Sequence, residues 1–193
     1  VTQEQWDSIM GENPSFFKGE LRPVENVSWN DCQNFIGKIN EKLGCQARLP
    51  TEAEWEYACR AKTDTPYHFG SFLNGIMANC DGECPYGTQI TGPNIKATAN
   101  VGSYSPNSWG FYDMHGNVWE WCQDSFEEYP NYSITDPIGL NQNIRRVVRG
   151  GGWYSIAEHC RSAYRGWNKA HNRLKHNGLR LAFTSLPTVE DVQ

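Results

Sequence analysis

The 193 residues suffice for one domain with a short tail. A formal charge of -5 gives no electrostatic case for binding nucleic acid or an anionic membrane. No run of about eighteen apolar residues exists, which excludes a membrane-spanning helix.

Thr2 to Met10 reads as a helix, because Thr2 and Gln5 form a capping box and Trp6, Ile9 and Met10 share a face. Gly11 ends it. Pro23 to Trp29 alternates like a short strand. Ser28 or Asn30 then caps a second helix, Asp31 to Leu43, with Cys32, Phe35, Ile36, Ile39 and Leu43 at helical spacing and Gly44 as its stop. Arg48-Leu49-Pro50 is extended, since the residue before proline avoids the helical region. Thr51 and Glu54 open a third helix by the same capping logic, with Trp55, Ala58 and Cys59 on its inner face.

From Tyr67 to Ser108 periodicity disappears, and Gly, Pro, Asn, Asp and Thr dominate. Two things can order so long a loop inside a compact domain: a bound cation, or its own aromatic side chains. Trp109 to Trp121 is an aromatic run around Gly116-Asn117. Val147 to Arg149 reads as a short buried strand, and Gly150-Gly151-Gly152 lets the backbone approach something closely. Gly178 to Phe183 reads as the last strand. Residues 184–193 are polar and read as a tail, leaving 1–183 as the domain. The chain opens at Val1 without a signal-peptide pattern, which is uninformative about the compartment.

Seven cysteines form no Cys-x-x-Cys and no zinc-type cluster. Cys32, Cys59 and Cys122 lie in helix-like or aromatic stretches and read as buried thiols. Cys80 and Cys84 are near enough in sequence to close a small loop in an oxidising compartment.

Several stretches, in order, carry a resemblance: Val27 to Asp31, Leu49 to Tyr57, Ala78 to Gly82, Val101 to Trp121, Asp136-Pro137, Arg146 to Gly151, Cys160 to Ala163 and Gly178 to Leu181. Together they resemble the formylglycine-generating-enzyme (sulfatase-modifying factor) family, from Val1 to about Phe183. The resemblance implies an α+β, C-type-lectin-like fold, rich in loops and low in regular secondary structure. It also implies structural calcium. Asn117 and Glu120 would supply side-chain oxygens, and Gly116 and Val118 carbonyls. Hard oxygens on a Gly-Asn turn suit that ion. The alternative is that Glu120 pairs with a buried arginine, Arg149 or Arg180. A second calcium site would fall near Asn79, with Pro93 at the expected acidic position and Asp81 as a substitute.

Family members that oxidise a substrate cysteine to formylglycine hold copper(I) with two cysteines five residues apart. Here Cys160 fills the second position and Ser155 the first. A hydroxyl is a hard ligand for a soft d¹⁰ ion, so copper is not expected. His159 adjoins Cys160, but adjacent residues seldom converge on one metal. The iron-dependent branch of the resemblance needs a histidine-bearing helical domain. His68, His115, His159, His171 and His176 supply none.

What remains is binding. Trp153, Tyr154, Ser155, His159, Tyr164, Arg165, Trp167, Asn168, Lys169, His171, Asn172, Arg173, Lys175 and His176 combine aromatic anchors with adaptable polar groups. They lie between stretches that read as rigid frame, while Arg161 and Arg180 read as internally paired. The pattern is also similar to the variable region of bacterial diversity-generating-retroelement proteins. The expected function is a non-catalytic module that binds a protein or peptide ligand, bacterial, with a lean to the cell surface or another extracytoplasmic place. The alternatives are an oxidase converting a substrate cysteine to formylglycine, with Cys160 as its remaining redox residue, or a different oxidation in the same groove.

Overall fold

The computed structural model describes residues 1–139 and 144–185. Helix α1 spans Gln3–Met10, α2 spans Trp29–Leu43 and α3 spans Glu52–Arg60. Each starts with a complete capping box: Thr2 with Gln5, Ser28 with Asp31, and Thr51 with Glu54. The paired bonds satisfy backbone N–H groups that a helix start would otherwise leave free. Helix α2 begins at Trp29 rather than Asp31, because Ser28 is its cap and Asp31 its third helical residue. Gly11 and Gly44 end the first two helices in the left-handed conformation. Ala61 does so for α3, with its N–H bonded to the Tyr57 carbonyl.

Six strands follow the helices or interleave with them: β1 (Ala47–Arg48), β2 (Trp119–Ser125), β3 (Arg145–Arg149), β4 (Gly166–Lys169), β5 (Asn177–Leu179) and β6 (Ala182–Phe183). Four form one sheet in the order β4-β3-β2-β5, and β1 pairs with β6. Strands β2 and β3 are antiparallel, with Glu120 opposite Arg149. Strands β2 and β5 are parallel, with Glu120 opposite Gly178. Residue 120 therefore sits between two flanking strands at the centre of the sheet.

Three expectations change. Pro23 to Trp29 is not a strand: Pro23 makes a single bridge to Thr2, and Ser28 already belongs to the α2 cap. Gly178 to Phe183 is two strands, because its first part pairs with β2 and its last part with β1, and Arg180 marks the break. The aromatic run ends in a strand, β2, which is buried along nearly its whole length.

The main core joins α1 and α2 to the sheet. Trp6 stacks on Phe35 at 4.8 Å, and the Trp121 indole donates to the Val27 carbonyl at 3.0 Å. Cys32, Cys59 and Cys122 are fully buried thiols. The long loop is packed by its own side chains. Tyr67, Leu73, Ala78 and Cys80 bury together with Ala157 and Cys160, and Phe69 stacks on Tyr67 at 5.4 Å. Beyond Phe183, the Thr184 N–H bonds to the Gln46 carbonyl and the Gln46 N–H to that of Ser185, so backbone pairing runs on into the expected tail. The rest of that tail lies outside the described residues. Among the described residues, no helix is long and apolar enough to cross a membrane.

Candidate functional site

The expected binding segment leaves β3 through Gly150-Gly151-Gly152. Gly151 has φ 78°, and a Cβ there would strike the Cys160 sulfur. The backbone thus approaches a side chain at a place where only glycine fits. The chain then folds back: the Trp153 N–H bonds to the Asn117 carbonyl at 2.8 Å, and the Ser155 N–H to that of Gly152 at 2.8 Å. The Ser155 hydroxyl accepts the Gly152 N–H at 3.0 Å and is buried. Ser155 holds the turn and does not face a ligand.

Aromatic rings on this turn form a continuous patch. Tyr154 is 45 % exposed, and its ring lies 4.5 Å from His176 and 5.5 Å from Trp153. Trp153 meets Phe17 at 5.2 Å, and Phe17 meets Phe16 at 4.9 Å. The Lys175 ammonium lies 5.2 Å from the Phe16 ring centre and 5.5 Å from that of Trp153. The Trp153 indole donates to the Lys175 carbonyl at 3.2 Å, which joins the turn to the segment before β5. Inward, burial raises the pKa of the Tyr154 hydroxyl, and the Trp119 and Ser155 side chains oppose that rise. Trp119 packs toward Tyr164 at 6.0 Å, and Tyr164 lies 4.5 Å from His159. Burial, and after it the Lys175 charge, hold His176 down at about 4, so its ring is neutral at pH 7. The patch is aromatic, with one cation at its edge.

The remaining expected binding residues are not all free. Arg165 gives two bonds to the Glu52 carboxylate, at 2.6 and 2.7 Å, and stacks over Tyr129. Arg173 gives two bonds to Asp31, each 2.7 Å. Both arginines serve the frame. Trp167 is 42 % exposed on β4, under the Arg145 guanidinium, and Asn168 faces Arg146 in the β3–β4 register. His171 is exposed, and Asn172, half-buried, closes a turn on the Lys169 carbonyl. These residues share no stacking contact with the patch around Tyr154. Sequence reasoning missed Phe16, Phe17 and Trp119 as members of the patch. Two adjacent aromatics in the polar Asn13 to Gly19 loop were the available signal.

The Glu120 and Asn117 side-chain oxygens assigned to calcium have other partners. Arg180 bonds both Glu120 oxygens, each at 2.9 Å, and the Trp55 indole adds a third bond at 2.7 Å. The Asn117 side-chain oxygen accepts N–H groups from Ala99 at 2.9 Å and Asn79 at 3.2 Å. Near Asn79, the Pro93 carbonyl accepts the Gly82 N–H, and Asp81 accepts from Glu83 and Asn94. This donor set does not fit calcium: the carboxylate is already neutralised and the amide oxygen is saturated. Glu120 takes the alternative role, pairing with an arginine, and that arginine is the half-buried Arg180 rather than the buried Arg149. Gly116, with φ 79°, and Val118 lead the chain into β2. Among the described residues, no group of three or more His, Cys, Asp or Glu is placed to hold a metal ion.

Around Cys160 the structure adds a residue that no spacing in the chain pairs with it. Cys160 is buried in one cluster with Cys80, whose thiol, together with burial, pushes the Cys160 pKa well up. The neighbour of Cys160 in that cluster is thus a second cysteine rather than the Ser155 hydroxyl, and thiolates are the softer donors for copper(I). Neither cysteine reaches the surface: Cys160 is 0 % exposed and Cys80 1 %. Close by, His115 is buried, with Nδ1 2.7 Å from the Cys160 carbonyl and Nε2 accepting the His68 N–H at 3.1 Å. That pattern requires the proton on Nδ1 and a neutral ring.

Comparison with known proteins agrees with this geometry. The sequence profile of the sulfatase-modifying factor enzyme 1-like domain matches residues 1–185. A chaperone protein, LppX, of Paenibacillus barcinonensis is 33 % identical, over 94 % of this chain and 76 % of its own length. The formylglycine-generating enzyme of Mus musculus is 32 % identical over 98 % of this chain, which spans only 52 % of that enzyme. Among solved structures, Treponema denticola variable protein 1 superposes with a TM-score of 0.80 at 28 % identity, covering 94 % of this chain and 81 % of its own.

Proposed function

Because this chain belongs to the sulfatase-modifying factor enzyme 1-like family, we propose that it is a non-catalytic recognition module that binds a protein or peptide through the aromatic patch centred on Tyr154. One observation carries the reading. Phe16, Trp153, Tyr154 and His176 form a contiguous, partly exposed aromatic surface with Lys175 at its rim, mounted on a hydrogen-bonded frame. Large, stiff aromatic side chains lose little entropy on binding, and a cation at the rim adds selectivity. The relatives support it: one is named a chaperone and another a variable protein. The bacterial, extracytoplasmic setting expected from the sequence belongs to the same proposal. Tyr154→Ala and Lys175→Ala test it. Each lowers ligand capture; the melting temperature stays within about 2 °C for Lys175→Ala and falls further for Tyr154→Ala, whose half-buried ring also reaches toward Trp119.

A second reading is oxidation of a cysteine in a partner polypeptide. One observation favours it: Cys80 brings a second sulfur to Cys160. In such a protein Cys80 and Cys160 would hold the copper ion, whose redox chemistry would supply the oxidation. Against it stands the enclosure of both sulfurs, which gives a substrate thiol no route in this conformation. Aldehyde formation on a cysteine peptide, lost in Cys160→Ala, would establish it.

A further inference from the structure

We propose that Cys80 and Cys160 close into a disulfide, which fastens the end of the binding segment to the loop beneath it. All seven cysteines stand as thiols in the structure, but these two are placed to react. Backbone bonds hold their segments side by side. The Asp81 N–H reaches the Ser155 carbonyl at 2.9 Å, Asp81 and Ile156 form a parallel bridge, and the Ala157 N–H reaches the Cys84 carbonyl at 3.1 Å. Cys80 enters this strap, and Cys160 ends the short 3-10 helix Ala157–Cys160 that leaves it. Their thiols share one buried cluster.

The surroundings select the product. Tyr67, Leu73, Ala78 and Ala157 enclose the pair in an apolar cluster. A soft metal ion would require thiolates in that enclosure, with burial opposing their ionisation, whereas a disulfide carries no charge. The Cys160 thiol has only a long contact to the Ile156 carbonyl, at 3.8 Å, whereas Cys45 rests on the Asn40 side chain at 3.3 Å and Cys59 on Ser162 at 3.5 Å. Cys84 is exposed, so the small Cys80–Cys84 loop considered from the sequence would draw Cys80 out of its cluster. In forming the bond, the two thiols release two protons and pass two electrons to an external low-molecular-weight disulfide. That oxidant leaves as two thiols, and one S–S bond replaces another. The exchange occurs during folding, before the sulfurs are enclosed, and in an oxidising compartment. A disulfide here leaves no thiol at Cys160 for oxidase chemistry. It is independent of what the aromatic patch binds.

The experiment uses the whole chain, folded in a glutathione redox buffer, alkylated in denaturant without reductant, digested and mapped by mass spectrometry. The expected result is a linked peptide pair containing Cys80 and Cys160. Reductant should then lower the melting temperature by about 5–10 °C in the wild type, and by little in a Cys80→Ser/Cys160→Ser variant. If that variant does not fold, the wild-type map decides alone. Seven alkylated cysteines, or a Cys80–Cys84 pair, overturn the proposal. So does one equivalent of copper(I) held against a competing chelator by protein that refuses to cross-link. Ligand capture is measured separately on the same sample, so either proposal can fail while the other stands.

Discussion

Arg180 grips Glu120 with both arms of its guanidinium, each bond 2.9 Å long, at the centre of the sheet. The Trp55 indole completes the arrangement by donating to the same carboxylate at 2.7 Å. Glu120 is 6 % exposed, so the pair is screened little by water. Removing the Glu120 charge leaves Arg180, 25 % exposed and still bonded to the Tyr112 carbonyl, without its ion partner. Glu120→Gln should therefore cost about 2 kcal/mol, read from denaturant unfolding. Because the carboxylate is already satisfied, stripping calcium with a chelator should move the wild-type melting temperature by less than about 1 °C. A large fall would return calcium to this site.

Gly151 tests the close packing beneath the patch. Its φ of 78° is strained for any other residue, and a Cβ would meet the Cys160 sulfur. Gly151→Ala should destabilise the fold by about 2–3 kcal/mol in the same unfolding measurement. Gly37, in helix α2, has nothing within 4 Å of such a Cβ. Gly37→Ala should be neutral or slightly stabilising.

Acid should weaken the fold through buried histidines. Burial holds His115 down at about 3, against 6.5 for its ordinary value. Below about pH 6.5 the unfolded chain takes up a proton that the folded chain refuses, so stability falls as pH drops. By pH 4 His115 alone should account for a loss on the order of 3 kcal/mol. Asp31 does not contribute over this range. Arg173 holds it at about 2, so its pairing is lost only as pH falls from about 3.8 toward that value. Thermal melts from pH 7 to pH 4 should show the decline, with a shallower slope in His115→Asn.

The oxidase reading has its own assay. Wild-type protein, reduced, supplied with copper(I) and oxygen and incubated with a cysteine-bearing peptide, should yield no aldehyde detectable by hydrazone capture. Both sulfurs are enclosed, and Ser155 spends its hydroxyl on the Gly152 N–H.

What was legible in the sequence was local. Capping boxes at Thr2, Ser28 and Thr51 span three residues each, and all three helices start where those signals lie. Gly151 announced a close approach without saying to what. Strand β2 was hidden because burial on both faces removes the alternation that marks a half-exposed strand. Arg165 and Arg173 looked like contact residues, since only the folded chain shows Glu52 and Asp31 taking them. The Cys80–Cys160 contact was out of reach for the same reason: no periodicity links positions so far apart. Tyr154 was legible as an aromatic of the turn, but Phe16 and Phe17, which extend the patch through Trp153, come from the other end of the chain.

The central claim is that the Tyr154 patch grips a polypeptide, and affinity capture from extract tests it most directly. Immobilised wild-type chain and an equally folded Tyr154→Ala/Lys175→Ala variant are exposed to the same bacterial extract, and the retained proteins are identified by mass spectrometry. The account predicts a saturable partner held by the wild type and lost at least about tenfold in the variant. Equal retention by both, or none by either at high loading, would contradict it.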